Sequence, residues 1–160
     1  LYEGFPMPLK KGDDAIEFKL PAKPKHEINL GDYIGKEKVV LLFFPLAYSS
    51  VCSAEMCQMR DEWSQYESLG AKVFGISVDS PFVTDKFRQD EKIPFPILSD
   101  FNKEVSRQYG VLHEDLMGLK GVSKRSAFVI GKDGKVAYQW VSEDPGVQVK
   151  FDEIKAALRD

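Results

Sequence analysis

The hydrophobic and polar positions along the chain follow the spacing of strands in some segments and of helices in others. Residues 39–44 are six consecutive apolar residues after a charged segment, which indicates a strand buried on both faces, as in a parallel sheet. Pro45 cannot donate a hydrogen bond to a neighbouring strand, so we expect the strand to end there. Residues 53–69 contain neither proline nor glycine, and their apolar positions predict a helix over 52–69 that Gly70 closes.

The predicted helix places its two cysteines on different faces. At 100° per residue, the apolar stripe within about 40° of Cys52 holds Met56, Met59, Trp63 and Tyr66. Cys57 falls about 140° from Cys52, on a polar face. Residues i and i+5 of an intact helix lie about 7.5 Å apart along its axis, whereas a disulfide needs β-carbons roughly 3.5–4.5 Å apart. The two cysteines can therefore bond only if the first turn or more of the helix unwinds.

The remaining segments alternate between strand and helix patterns. A strand at 72–78 completes a strand, helix, strand unit, so we expect two parallel strands with a right-handed crossover. The other predicted elements are an irregular arm over 1–38 with one or two edge strands, a helix from Pro81 to about residue 90, a short edge strand at 93–98, a short helix ending before Gly110, a loop near the site at 111–122, a hairpin of 126–130 and 136–140, and a helix at 149–158. Together they predict an α/β fold of thioredoxin type, a mixed central sheet with helices on both faces.

Composition and charge indicate how many domains the chain forms, which partners to expect and in which compartment it works. The 160 residues, 43% of them hydrophobic, suit one well-filled core, so we expect a single soluble domain over residues 1–160. The 22 basic and 25 acidic residues give a net charge of −3 without a basic cluster, so we expect no nucleic-acid partner. No apolar run is long enough to span a membrane, and no signal-peptide pattern opens the chain, although its first residue is not methionine. With only two cysteines, the chain is expected in a reducing compartment, the cytoplasm.

Cys52 is the candidate nucleophile because it stands where a helix begins, after a strand and a polar bend. A thiol attacks as its thiolate, and a free cysteine with a pKa of about 8.5 is only roughly 3% ionised at pH 7. The N-terminus of a helix stabilises a thiolate through unpaired N–H groups and about half a positive charge. Full ionisation raises the reactive fraction only about 30-fold, so hydrogen-bond donors must also stabilise charge on the leaving group. Ser49, one turn back at the bend, is the nearest such side chain.

The pattern Pro45-x-x-x-Ser49-x-x-Cys52-x-x-Glu55 resembles the active-site motif of the peroxiredoxins, in which proline, threonine or serine, and cysteine have this spacing. The resemblance covers roughly residues 10–158. The context of the motif and the segment 96–100 are most similar to the one-cysteine alkyl hydroperoxide reductase E group. A second cysteine five residues after the first is similar instead to the peroxiredoxin Q or bacterioferritin comigratory protein group. Serine at 49 departs from the commoner threonine and lacks the methyl group that restricts its rotamer.

The resemblance implies a thiol-dependent peroxidase that reduces hydrogen peroxide and organic hydroperoxides. Cys52 would attack the O–O bond as the peroxidatic thiolate and become a sulfenic acid. Ser49 would hydrogen-bond both the thiolate and the peroxide oxygen, and Pro45 would shield the pocket from water.

The resemblance also assigns three residues outside this bend. Arg125 would hold sulfur and peroxide with its forked guanidinium, and Glu55 would orient that arginine. Cys57 would be the resolving thiol, which condenses with the sulfenic acid to an intramolecular Cys52–Cys57 disulfide. Thioredoxin or a similar dithiol would reduce the disulfide. No cofactor or metal is implied, and the two similar groups leave both a monomer and a homodimer open.

Several alternatives remain at this stage. Cys57 could be an incidental surface thiol, Arg125 a solvated residue at a strand edge, Glu55 a plain helix N-terminal carboxylate and Ser49 a turn former. A thioredoxin-like disulfide exchanger is expected to carry Cys-x-x-Cys. A copper-delivering protein is expected to carry Cys-x-x-x-Cys together with a distant histidine, for which His113 is the candidate. This chain has neither cysteine spacing. A peroxide sensor would share the chemistry of the site and differ only in turnover.

Overall fold

The computed structural model describes residues 6–160, and its centre is a five-stranded mixed sheet. In chain order the elements are β1 (Lys19–Lys23), β2 (His26–Asn29), a 3-10 turn (Leu30–Asp32), β3 (Lys38–Phe43), α1 (Ser50–Asp61), α2 (Trp63–Ser68), β4 (Ala71–Ser77), α3 (Pro81–Asp90), β5 (Ile97–Ser99), α4 (Glu104–Gln108), β6 (Ser126–Ile130), β7 (Val136–Val141) and α5 (Phe151–Arg159). Across the sheet the strands follow the order β5-β4-β3-β6-β7.

The pairing of the strands confirms the predicted topology. Strand β3 runs parallel to β4, and β4 runs parallel to the short edge strand β5. On its other side β3 pairs antiparallel with β6, which forms the predicted hairpin with β7. The left-handed backbone at Gly134 (φ 80°) forms part of the turn of that hairpin, a conformation that glycine adopts without steric cost.

Strand β3 is the centre of the core because its side chains are buried on both faces of the sheet. Val40, Leu42 and, just past the strand, Phe44 belong to one buried cluster. The alternate residues Val39, Leu41 and Phe43 belong to a second cluster on the opposite face. Burying each such side chain contributes about 1.5–3 kcal/mol, which accounts for the uninterrupted apolar run in the sequence.

Helices cover both faces of the sheet, as predicted. On one face α1, α2 and α5 contribute Met56, Tyr66 and Ile154 to the cluster of Val40 and Leu42. On the other face α4 contributes Val105, and the hairpin of β1 and β2 contributes Leu20. Helix α3 packs beside β5 and β1. None of the helices within residues 6–160 is long and apolar enough to cross a membrane.

Three predicted elements differ from those observed. The short edge strand predicted at 93–98 spans only Ile97–Ser99. The helix predicted over 52–69 begins earlier, at Ser50, and divides into α1 and α2 at Glu62, where the backbone (φ −102°, ψ 13°) leaves helical values. The Glu62 carboxylate there accepts hydrogen bonds from Gln58 and from Lys155 of α5.

The N-terminal arm also differs from the prediction, and its first five residues lie outside the described part. Strands β1 and β2 pair with each other in a separate two-stranded sheet, so neither is an edge strand of the central sheet. The pairing is irregular between Pro21 and Lys23, next to a proline that has no N–H to donate.

Candidate active site

The bend between β3 and α1 is held by two carboxylates from the neighbouring unit of β4 and α3. The backbone N–H of Ala47 donates to Asp79 Oδ2 at 2.7 Å. The hydroxyl of Tyr48 donates to Asp90 Oδ2 at 2.6 Å, and its ring packs against Phe87. Tyr48 has a left-handed backbone (φ 68°), which is costly for a bulky residue, so these contacts stabilise a strained bend.

Cys52 is the third residue of α1, in the first turn of a 12-residue helix. The guanidinium of Arg125 donates to its sulfur, with Nη2 2.9 Å from Sγ. Arg125 comes directly before β6, and because Ser126 pairs with Phe43, it lies beside the end of β3 where the bend begins. The helix N-terminus and this cation thus both place positive charge at the sulfur.

Arg125 is fixed by contacts of two of its guanidinium nitrogens, Nε and Nη1. Its Nε donates to the carbonyl oxygen of Pro145 at 3.1 Å. Its Nη1 lies 3.4 Å from Glu55 Oε2, and the two side chains are 1% and 0% exposed. This is an ion pair without hydrogen-bond alignment, since neither atom has a hydrogen-bond partner within residues 6–160. One nitrogen thus faces Cys52, while the other two hold the fork in place.

Glu55 is a buried carboxylate whose two oxygens make different contacts, one a hydrogen bond and the other an ion pair. Its Oε1 accepts a hydrogen bond from the backbone N–H of Val149 at 3.0 Å, and its Oε2 faces Arg125. Burial raises the pKa of Glu55 to about 7, and the charge of Arg125 and the bond from Val149 partly offset this effect. Arg125 therefore lies between two acidic groups, Glu55 and Cys52, that both gain from its charge.

Ser49 and Pro45 lie at the mouth of the site. Ser49 is the N-cap residue of α1, but its hydroxyl caps no backbone N–H and donates instead to the carbonyl of Leu46 at 3.1 Å. Its expected hydrogen bond to the Cys52 sulfur is thus not formed in this structure, and its catalytic role stays a prediction. Pro45 is buried and lies two residues after the end of β3.

A cavity of about 270 Å³ opens at these residues. Its lining consists of Pro45, Leu46, Ser49, Ser50, Val51, Leu116, Met117, Leu119, Arg125, Pro145 and Gly146. The loop at 111–122 therefore lies at the site, as predicted, and supplies three apolar side chains. Cys52 has no exposed surface and is not part of the lining, so the sulfur lies behind the wall of the cavity.

Cys57 lies on α1 away from Cys52, on the face that the helical spacing predicted. Its thiol donates to Glu91 Oε2 at 3.3 Å, and both cysteines are free. Burial raises the pKa of Cys57, and so does the bond to Glu91, whereas Arg60 lowers it. The Nη1 of Arg60 donates to the carbonyl oxygen of Glu91 at 2.7 Å.

Several residues of the site were missed from the sequence. Pro145 and Val149, which hold Arg125 and Glu55, lie just before α5, and no role at the site was predicted for either. Val149 falls in the helix predicted over 149–158, which begins only at Phe151 in the structure. Glu91 follows α3 as an ordinary charged residue. His113, the candidate copper ligand, is buried beside a different cleft with Pro8 and Lys124. In the part of the chain described, no three His, Cys, Asp or Glu side chains are grouped to hold a metal ion.

Known proteins share both the sequence and the fold. The model of the AhpC/TSA family matches residues 11–139. Peroxiredoxin Bcp of Escherichia coli (strain K12) is 36% identical over 134 residues, which cover 82% of this chain and 85% of that protein. The chloroplastic 2-Cys peroxiredoxin BAS1 of Spinacia oleracea is 32% identical over 158 residues, which cover 92% of this chain but 58% of that protein. The chain thus spans little more than half the length of the second relative.

The fold is that of solved peroxiredoxins. The crystal structure of peroxidoxin BcpB from Mycobacterium tuberculosis matches with a TM-score of 0.83 at 32% identity, covering 94% of this chain and 97% of that chain. This likeness confirms the thioredoxin-like α/β fold, and the family match confirms the resemblance to the peroxiredoxins. The chain belongs to the AhpC/TSA family, the family of the peroxiredoxins to which it is similar.

Proposed function

We propose that this chain is a thiol-dependent peroxidase that reduces hydrogen peroxide and organic hydroperoxides. The observation that carries the proposal is the contact of 2.9 Å between Arg125 Nη2 and the Cys52 sulfur in the first turn of α1. A buried guanidinium and a helix N-terminus at one sulfur supply positive charge and N–H donors where the reaction moves negative charge from sulfur to oxygen. The peroxiredoxin relatives support the same activity.

In the first step, the Cys52 thiolate attacks the terminal oxygen of the hydroperoxide. An S–O bond forms as the O–O bond breaks, giving a sulfenic acid, and the departing alkoxide or hydroxide takes a proton from solvent. Arg125 faces the reacting sulfur and stabilises the negative charge as it moves onto the leaving oxygen. Ser49 serves as a second donor once its hydroxyl turns from the Leu46 carbonyl toward the peroxide.

In the second step, Cys57 resolves the sulfenic acid. Its thiolate attacks the Cys52 sulfur, an S–S bond forms, the S–O bond breaks, and hydroxide leaves and is protonated to water. Because both cysteines lie on α1, the helix unwinds locally before they bond. A thioredoxin-type dithiol then reduces the disulfide by exchange, and the two free thiols suit a reducing compartment such as the cytoplasm.

A thioredoxin-like exchanger fits this geometry less well than a peroxidase. An exchanger needs its two sulfurs to pair with little rearrangement, whereas the Cys57 thiol is bonded to Glu91 and lies on another face of the helix from Cys52. The contact of Arg125 with the Cys52 sulfur places a guanidinium where it can stabilise the charge of a departing oxygen.

Peroxide-dependent oxidation of thioredoxin tests the function. With thioredoxin, its reductase and NADPH, the chain is expected to consume NADPH when hydrogen peroxide is added, and Cys52→Ser is expected to abolish this consumption. Ser53→Ala, a change at the next residue of the same turn, is the matched control and retains the wild-type rate. Full turnover by Cys52→Ser overturns the proposal.

A further inference from the structure

Cys57 and Arg60 tie α1 to the end of α3 through one residue. The Cys57 thiol donates to Glu91 Oε2 at 3.3 Å, and Arg60 Nη1 donates to the carbonyl oxygen of Glu91 at 2.7 Å. Glu91 directly follows the last residue of α3. Cys57, at the end of the stretch of α1 that has to unwind before the disulfide forms, is therefore bonded to the residue after α3. Arg60 bonds the next turn of α1 to the same residue.

The chain that precedes α1 is bonded to the same place. Asp90, the last residue of α3, accepts from the hydroxyl of Tyr48 at 2.6 Å. We call Asp90 and Glu91 together the α3 anchor. Residues 48–60 contain both cysteines, and the anchor holds this segment near each of its ends. Moving Cys57 toward Cys52 thus breaks at least the contact with Glu91.

Glu91 also opposes ionisation of Cys57. Burial raises the pKa of this thiol, and the bond to Glu91 and the negative charges of Glu91 and Asp61 raise it further, while Arg60 lowers it. The attacking species in disulfide formation is the thiolate. The carboxylate of Glu91, which accepts the hydrogen bond from the Cys57 thiol, therefore also favours the protonated form of that thiol.

We propose that Glu91 is a positioning residue that keeps Cys57 away from Cys52 and so determines how long the Cys52 sulfenic acid persists. The inference rests on the proposed function, in which Cys57 is the resolving thiol. A persistent sulfenic acid reacts with a second hydroperoxide, which adds an oxygen to form the sulfinic acid and leaves as an alcohol or water. Glu91 therefore governs the division between disulfide formation and overoxidation.

The variant that tests this proposal is Glu91→Gln, which keeps the shape of the side chain and replaces a charged acceptor by a weaker neutral one. Disulfide formation after a single equivalent of hydrogen peroxide, followed by rapid quenching and mass spectrometry, is expected to be about fivefold faster, the factor for the loss of an ordinary hydrogen bond. The rate falls at low pH because the Cys57 thiolate is protonated, and in the variant this fall is expected to begin at a lower pH. The fraction of sulfinic acid formed at excess peroxide is expected to decrease.

Asp85→Asn is the matched control, because the Asp85 carboxylate lies on the same helix but accepts hydrogen bonds from Arg88 and Gln89 of α3 itself. It is expected to leave the rate and its pH dependence unchanged. Tyr48→Phe removes the other bond to the anchor and is expected to speed disulfide formation without moving the pH profile, since Tyr48 does not contact Cys57.

The outcomes separate the inference from the function it rests on. Wild-type rate and pH profile in Glu91→Gln overturn the inference, and if that variant does not fold, the same result in Glu91→Ala, which also removes the carboxylate, does so. The absence of both sulfenic acid and disulfide in the wild-type chain after peroxide treatment instead contradicts the peroxidase assignment.

Discussion

The backbone N–H of Val149 donates to Glu55 Oε1 at 3.0 Å, a buried hydrogen bond between residues 94 positions apart. It fixes the carboxylate that faces Arg125, so the segment before α5 supports the geometry of the site. The bond satisfies one oxygen of Glu55 while burial disfavours its charge, and the carboxyl consequently titrates near neutrality.

Glu55 is expected to make the stability of the fold depend on pH. Because its pKa rises from 4.5 to about 7 on folding, its favourable contribution is fully present below pH 4.5 and is lost as the pH rises through about 7. Glu55→Gln removes this dependence and keeps an acceptor for Val149. Between pH 4.5 and 8, the wild type is expected to lose on the order of 2–3 kcal/mol of unfolding free energy relative to the variant.

Urea denaturation at both pH values measures this difference. Glu67→Gln, which neutralises an exposed carboxyl of α2, is the control and is expected to track the wild type at both pH values. A constant difference between wild type and Glu55→Gln across the range contradicts the titration of Glu55 near neutrality.

Arg125→Lys is expected to slow oxidation of Cys52 roughly a hundredfold, the usual effect of losing one donor at a developing oxyanion. Arginine uses three nitrogens here, toward Cys52, Pro145 and Glu55, and lysine has only one. Sulfenic acid formation, trapped with dimedone after rapid mixing with hydrogen peroxide, gives the rate constant. Arg88→Lys, in an ion pair of α3, is the control. A rate within twofold of wild type in Arg125→Lys shows that the cation alone suffices.

Ser49→Ala is expected to lower the rate of Cys52 oxidation about tenfold with little change in stability. The hydroxyl of Ser49 caps no backbone N–H of α1, whereas Ser80 accepts from the N–H of Val83 at the start of α3. Ser80→Ala is therefore the matched control, expected to cost about 1 kcal/mol of stability with unchanged peroxide chemistry. Thermal denaturation and peroxide kinetics are measured for both variants. The prediction is wrong if Ser49→Ala is destabilised as much as Ser80→Ala.

The fold was predictable where local pattern and tertiary packing agree. The apolar run of β3, the proline that ends it and the Asp133-Gly134 turn each act over a few residues, and the structure has them as expected. The break at Glu62 carries no such signal, because glutamate is a good helix former and the contact with Lys155 involves a distant segment.

The site was predictable only in part, for the same reason. Cys52 and Ser49 follow from the order of strand, bend and helix, but Arg125 came from the family resemblance, since nothing local separates it from Lys124. Pro145, Val149 and Glu91 act through contacts between segments far apart in sequence. Such contacts leave no periodic or spacing signal in a single sequence.

Met117→Glu is expected to discriminate between substrates. Met117 and Leu119 line the cavity with Val51, and Met117 is 86% exposed at its edge. An apolar hydroperoxide gains from contact with these side chains, so kcat/KM for cumene hydroperoxide is expected to fall about tenfold, the effect of about 1.4 kcal/mol of lost apolar contact, while the value for hydrogen peroxide stays within twofold. Met7→Glu, at a methionine of 85% exposure outside this cavity, is the control. Equal losses for both peroxides contradict an apolar substrate contact.

Cys57→Ser is expected to leave the first oxidation of Cys52 intact and to remove the internal disulfide. Cys57 does not contact Cys52 in the folded helix; its thiol is bonded to Glu91, and the donor to the Cys52 sulfur is Arg125. After one equivalent of hydrogen peroxide, the oxidised proteins are analysed by mass spectrometry without reductant. The mass of the wild type is expected to fall by two hydrogens, as for a disulfide, and that of the variant to rise by one oxygen, as for a sulfenic acid. The variant's turnover with thioredoxin is expected to fall at least tenfold, because the sulfenic acid then needs an external thiol. Wild-type turnover by Cys57→Ser with thioredoxin as the sole reductant would mean that Cys57 is not the resolving thiol.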